Sequence, residues 1–415
     1  MNFDPLSAFV AQAQAQIENR DYRGAIGSFT LALGIEDRAE VRVSRGLLHS
    51  MTGNIQAALD DFSVALERDP QHLDAYLNRG TLYLKRGETT AALDDLDQAV
   101  RLAPDHAEAY ARRAMVHAAM GEPEQAIADL DAAISHQPDN PNHYFSRATL
   151  RYNLGDFHES VSDCTRALEL GLERPDVYKA RGSARATIGK MAGALDDYTQ
   201  AIGYDKRDAD AYYNRGVVHY QLEDYEDAIA DFDRSLKIKS DSAQTLYARG
   251  STYLEMGDYR AARTDFRQAI RLQPDFAAAH YKRGVAYQRL GQLEEALASL
   301  TAALDYVPHD AIYRVARGEI YLEQGDQEQA MLDFKRAMLN QTDGTTLLGS
   351  AILGGLALTY HLKGDAAQAC KLWRMLIDRD PHYADASFAG DQFGWTTALV
   401  TLAEALITAL DNEVQ

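Results

Sequence analysis

Small and apolar side chains return along this chain at two periods at once. At the short period, positions four before, at and three after a small anchor residue fall on one helical face. At the long period the anchors Gly46, Gly80, Ala114, Ala148, Gly182, Gly216, Gly250, Gly284 and Gly318 recur every 34 residues without a gap. Twelve residues after each anchor stands a second small side chain, from Ala58 to Ala330 with Ser160 the one departure from alanine. Seven further on stands a third, from Ala65 to Ala337, with Ser235 the departure. Small residues at fixed places on two consecutive helices mark where their backbones approach closely, because large side chains there would force the pair apart. A Gly-containing turn such as Met256-Gly257-Asp258 or Leu290-Gly291-Gln292 separates the two helices. Pro70, Pro104, Pro138, Pro274 and Pro308 end several of the second helices. The pattern predicts one helical hairpin per 34 residues and an all-α fold.

A 34-residue helix–turn–helix unit with small, aromatic and proline positions in this order resembles the tetratricopeptide repeat (TPR). The segment Tyr212-Tyr213-Asn214-Arg215-Gly216, followed by Tyr225, Ala228 and Phe232, carries the likeness most closely. Two degenerate units extend the array, one anchored near Ala13 with Tyr22, Ala25, Phe29 and Ala32, the other near Ala357 with Tyr360, Gly364, Ala369, Trp373 and Pro381. The resemblance implies an α-α superhelical solenoid of eleven TPR helix pairs over residues 1–383, and residues 384–415 read as a C-terminal capping helix and tail. In that tail Trp395, Ala398, Leu399, Leu402, Ala405, Leu406, Ala409 and Leu410 follow helical spacing, as a cap closing the exposed core would, although a partner-docking helix would show the same stripe. Five extra residues before the last unit point to a loop insertion at Asn340-Gln341-Thr342-Asp343-Gly344.

Charge narrows the partners. A formal charge of −20 and a pI near 5.0 repel polyphosphates, since nucleic-acid binding draws most of its affinity from cationic neutralisation. The same field favours encounter with basic partners, and it also keeps soluble proteins apart. With 46% hydrophobic and 25% charged residues the chain can bury a large core. The uncharged stretch from Gly344 to Leu362 raises a membrane question, but its glycines, serine and threonines are weakly apolar and it falls in register with a repeat helix. The N-terminus lacks a basic segment followed by an apolar core, which favours the cytoplasm. Cys164 and Cys370 stand alone in helical patterns, where they read as buried small residues rather than redox or metal ligands.

Candidate chemistry is sparse. No phosphate-binding loop, HExxH, GxSxG or zinc spacing occurs, and the twelve histidines contain no i, i+4 pair. His49, His117 and His219 lie three residues after anchors, where other units carry tyrosine, and read as aromatic substitutes. The chain is accordingly read as a non-enzyme without cofactor or metal. More distinctive is an arginine before every regular anchor, from Arg45 to Arg317, with an aspartate fifteen residues after the anchor in eight of the nine units and Ser299 in the other. Such arginines could form an anion-binding ladder. Pairing with the aspartates is favoured, because half-buried guanidinium groups need carboxylate partners.

Positions three before, one after and four after the anchor are rotated about 100° from the core face, toward the side that lines the inner groove in the family. Phe145, Tyr152, Lys179, Tyr213, Tyr220, Tyr247 and Tyr281 occupy them. Aromatic bodies with a hydroxyl tip suit a peptide groove, and the same residues would equally suit packing between repeats. The family's carboxylate clamp for chaperone tails maps onto Lys179, Ser183, Asn214, Gln244 and Ala248. Only Lys179 and Asn214 match, so most of the required positive charge is missing. The sequence therefore predicts a cytoplasmic scaffold that holds a protein or peptide segment in its groove, with Phe145, Tyr152, Lys179, Tyr213, Asn214, Tyr220, Tyr247 and Tyr281 as contacts. The alternatives are a self-assembling architectural protein and a non-catalytic subunit of a larger complex.

Overall fold

The computed structural model describes residues 4–339 and 346–414, which contain 24 α-helices, one short 3-10 helix and no strand. The expected insertion at residues 340–344 lies outside the described residues. Two compact units divide the chain, Met1–Asp205 and Lys206–Gln415. The first holds six helix pairs, from Pro5–Glu18 with Tyr22–Ile35 to Pro175–Thr187 with Met191–Tyr204. The second holds five, from Ala209–Gln221 with Tyr225–Ile238 to Leu347–Leu362 with Ala366–Arg379. We number these repeats 1 to 11 in chain order; within each unit every pair packs on the next, an α-α solenoid arrangement.

The anchors work as their size suggests. A side-chain carbon added at Gly216 would sit 2.8 Å from the Phe232 ring, and one added at Gly46 equally close to Phe62. Each glycine thus admits a large residue of its partner helix onto its own backbone. Where the anchor is Ala114 or Ala148, the facing residue is Leu130 or Cys164, and all four are buried. In the turns, the left-handed residue is glycine in most repeats, but Arg20 and Glu223 hold it at φ of 59° and 64°.

The arginine series is structural. In eight repeats Nε and Nη2 straddle the aspartate carboxylate at 2.6 to 3.1 Å, and those aspartates are only 1 to 5% exposed. A tyrosine face supports several of the guanidinium groups, as Tyr253 does for Arg249 at 6.0 Å. The remaining nitrogen, Nη1, reaches back to the second helix of the preceding repeat: Arg79 to Ser63, Arg113 to Asp97, Arg147 to Asp131, Arg249 to Asp233 and Arg317 to Thr301. One residue therefore ties both helices of its own repeat to the repeat before.

After repeat 11 come a 3-10 turn, Pro381–Ala384, and helices Ala386–Phe393 and Thr397–Val414. The first of these helices was not expected, and Trp395 precedes the last helix rather than joining its stripe. Of the expected stripe, Leu399, Leu406 and Leu410 are buried and Leu402 packs beside them, whereas Ala398 and Ala405 face solvent and Ala403, not read from the spacing, is buried. The buried residues join Phe334, Trp373 and Trp395 in one core cluster. The uncharged helix Leu347–Leu362 is buried continuously from Gly349 to Thr359, which accounts for its composition. Among the described residues no helix is long and apolar enough to cross a membrane.

Candidate functional site

In the second unit, Tyr213, Tyr220 and Tyr247 line a single cleft of about 240 Å³, together with Val217, Phe232, Ala248, Ser251 and Lys282. The 34-residue register places them there: Tyr213 and Tyr247 stand three before their anchors, Val217 and Ser251 one after, Tyr220 four after. Each tyrosine is half-buried and supported from behind. Tyr213 leans on Phe232 at 6.0 Å between ring centres, Tyr220 on Tyr225 at 5.9 Å, and Tyr247 on Phe266 at 5.9 Å and Phe276 at 4.9 Å. Packing and groove readings of these residues therefore both hold, since one side of each ring packs and another lines the cleft.

The cleft is apolar in body with a few polar groups. Burial pushes the phenols of Tyr213, Tyr220 and Tyr247 above their ordinary range, so all three are hydroxyl donors at neutral pH. Ser251 Oγ is buried near Tyr247 yet makes no well-formed hydrogen bond, which leaves a polar atom beside the cleft without a settled partner. Lys282 brings the cleft's only cation, 3.9 Å from Glu255. Such a site can hold an apolar or aromatic side chain while hydrogen-bonding a backbone alongside it.

The other expected contacts separate. Tyr281 stacks on Tyr313 at 4.9 Å and opens instead onto a neighbouring cleft of about 250 Å³ with Val315, Glu319 and Phe393. Burial drives its phenol up to about 12. Asn214 is half-buried on the same helix as Tyr213 and outside that cleft's lining. In the first unit, Phe145 lines an apolar cleft of about 250 Å³ with Met115, Leu130 and Leu150, and the Arg174 guanidinium lies 5.6 Å from its ring centre. Tyr152 packs edge-on against Phe157 at 5.2 Å, and Lys179 is half-buried on the helix Pro175–Thr187. A wider, open cleft of about 880 Å³ beside Leu6 and Val10 is lined by charges several of which are tied to one another, Arg68 on Asp37 and Arg38 on Glu36.

Sequence reasoning missed the site around Glu319. Its carboxyl, in the first helix of repeat 10, accepts a hydrogen bond from Trp395 Nε1 at 2.9 Å, and the next residue back, Gly394, offers its carbonyl to Arg289 Nη2 at 2.8 Å. Gly354 has no side chain where the Trp395 ring arrives, the nearest ring carbon lying 3.0 Å from an added Cβ. Glu319 stands one after its anchor and Gly354 three before its own, so the chain's C-terminal segment rests on the groove columns of repeats 10 and 11. Burial pushes the Glu319 carboxyl up to about 8. The position in the groove column was legible; the partner 76 residues away was not.

Both cysteines are buried and free, and burial pushes the Cys164 thiol up to about 12, far from a reactive thiolate. Among the described residues no group of three or more histidine, cysteine or carboxylate side chains could hold a metal ion.

Family models described as tetratricopeptide repeat match residues 10–73, 45–107, 83–142, 209–242, 281–343 and 355–383, and one described as TPR repeat matches 182–223 and 250–291. No curated protein sequence matches significantly. Among solved structures, a tetratricopeptide repeat protein from Parabacteroides merdae aligns over 60% of this chain and 98% of its own, at 24% identity and a TM-score of 0.49. The TPR protein YrrB, described as having an unusual peptide-binding site, aligns over 44% and 95%, at 21% identity and a TM-score of 0.41. For pilF of Pseudomonas aeruginosa the figures are 53% and 96%, 22% and 0.44.

Proposed function

The chain belongs to the tetratricopeptide repeat family of protein-interaction scaffolds, and from that premise we propose that it holds an extended or helical segment of a partner protein in the tyrosine cleft of repeats 7 to 9. One observation carries the reading: Tyr213, Tyr220 and Tyr247, from two successive repeats, converge on one cleft beside the unsatisfied Ser251 hydroxyl. A partner side chain buried there displaces water from aromatic surface, while the phenols satisfy its backbone. The charge of −20 favours a partner segment with basic residues flanking the anchored one. Residues 384–415 serve in this reading as the cap of the solenoid formed by residues 1–383. The support for that role is the burial of Leu399, Leu406 and Leu410 against the last repeats.

The test is affinity capture from native cell extract with the wild-type chain, the double variant Tyr213→Ala with Tyr247→Ala, and Val217→Arg. Capture of the same partner should fall at least tenfold in both variants, as central aromatic anchors lost at interfaces imply. Helical dichroism should be retained, with Tyr247→Ala lowering the melting temperature because the ring also packs on Phe266 and Phe276. Undiminished capture by the folded Val217→Arg protein refutes the cleft as the binding site.

A further inference from the structure

The arginine ladder breaks at one rung, and two independent substitutions make the break. In repeat 9 the aspartate that should face Arg283 is Ser299, whose Oγ takes a single hydrogen bond from Arg283 Nε at 3.1 Å. On the other side, the residue sixteen before the arginine is Asp97, Asp131 or Asp233 in three repeats and a hydroxyl in others, whereas before Arg283 it is Arg267. Both carboxylate positions around Arg283 are therefore empty of negative charge, and one has become positive. Among the described residues Arg283 has no salt bridge. Burial accordingly pulls its guanidinium below the usual range, while carboxylates hold Arg249 and Arg147 above it.

Arg267 does not stand alone. It belongs to the helix Tyr259–Leu272 of repeat 8, where Arg260, Arg263, Arg267 and Arg271 follow 3-4 spacing along one face. The position of Arg263 is apolar in every other regular repeat, as with Ile229 and Leu297. Arg263 bonds Gln292 Oε1 at 3.0 Å and lies over the Tyr287 ring, but Arg260, Arg267 and Arg271 are exposed and, among the described residues, meet no carboxylate. In a chain that carries twenty more acidic than basic side chains, this helix has four arginines and one acid, Asp265, already committed to Arg249. Self-repulsion among these arginines destabilises the free surface, and an incoming anion relieves it.

We infer that this face of repeats 8 and 9 docks an acidic polypeptide segment, one carboxylate of which bridges Arg283 and Arg267. The bridging place is reachable from solvent, because the aspartates that fill it elsewhere, Asp131 and Asp233, keep 52 and 53% of their side-chain surface exposed. Planar guanidinium forks suit a carboxylate, and Arg260 and Arg271 extend the stripe for further acidic residues of the same segment. This site is distinct from the tyrosine cleft and does not depend on it.

The experiment measures fluorescence anisotropy of a labelled hexaglutamate peptide on the full chain at about 20 mM salt, a concentration at which charges on a surface are weakly screened. Arg267→Asp supplies the missing internal carboxylate and should weaken binding at least tenfold while leaving the melting temperature unchanged or higher. Lys335→Asp makes the same charge change at the equivalent exposed position of repeat 10 and should weaken it less than threefold. No binding by the wild type, or equal losses in the two variants, overturns the proposal. So does tighter binding of an oligothymidylate of equal charge, which would assign the face to polyphosphate. Concentration-dependent self-association abolished by Arg267→Asp would likewise overturn it, by making a second copy the occupant.

Discussion

Asp265 in repeat 8 and Glu319 in repeat 10 are both buried carboxyl groups, and their partners are of opposite kinds. Asp265 accepts two hydrogen bonds from the Arg249 guanidinium, its partner within the same repeat. Glu319 receives one indole N–H and, among the described residues, no cation within salt-bridge distance, so burial favours its protonated form. The difference teaches that a carboxyl buried in this fold is matched by a cation where its own repeat supplies one and otherwise takes a neutral partner. Arg283 completes the comparison from the cationic side, since an arginine cannot neutralise itself by losing a proton.

The largest effect should come from orphaning a ladder carboxylate. Arg249→Ala leaves Asp265 buried and unpaired and also releases Asp233, so a loss of about 3 to 5 kcal/mol is expected in chemical denaturation. The double variant Arg249→Ala with Asp265→Ala should recover part of it, because the desolvated charge is gone. A double variant no more stable than the single one would mean that the pair's geometry, rather than the stranded charge, sets the cost.

Next comes Glu319, whose protonation links stability to pH. Its folded pKa of about 8 lies above the ordinary glutamate value of 4.5, so between those values the folded chain holds a proton that the unfolded chain has lost. Stability should therefore fall as pH rises through this window, by up to about 1.4 kcal/mol per pH unit, and level off above it. Glu323, Arg289 and Tyr281 are the charged or titratable groups nearest the carboxyl, and they remain in Glu319→Gln. That variant still accepts the Trp395 N–H, and its stability relative to wild type should rise steadily from pH 5 to pH 8. Parallel pH profiles for the two proteins would break the comparison with Asp265.

How far the sequence reached follows from the range of each interaction. The ladder was legible because its partners sit sixteen residues apart within one repeat, and a strict period repeats the statement eight times. The convergence of Tyr213, Tyr220 and Tyr247 was legible for the same reason: their columns are fixed by the period. Tyr281 opens onto a separate cleft because its surroundings include Phe393, from a C-terminal segment that obeys no period. The Glu319–Trp395 contact, the helix Ala386–Phe393 and the burial of Ala403 share that cause. Arg267 was missed for a different reason. It is exposed, so it carries no core periodicity, and only the geometry of Nη1 in the other repeats shows that its column faces the ladder.

The smallest effect, and the sharpest use of the comparison, is Ser299→Asp. The new carboxylate enters a place that eight other repeats show to be sterically suited to it, where the Ser299 hydroxyl now lies 3.1 Å from a guanidinium without a carboxylate partner among the described residues. The gain is limited, because bringing a carboxylate into a site as buried as Ser299, 1% exposed, costs desolvation energy that the attraction to Arg283 must offset. Arg283 is already desolvated in the wild type, so only one of the two charges is newly buried, and the balance tips toward stabilisation of about 1 kcal/mol. The lost Ser299 bond to the Glu295 carbonyl subtracts little, since that carbonyl also accepts within its helix. Thermal melting of the variant should therefore shift upward by a few degrees or less. A clear destabilisation would show that Arg283 is not oriented as its eight counterparts are, and that repeat 9 departs from the ladder in backbone as well as in charge.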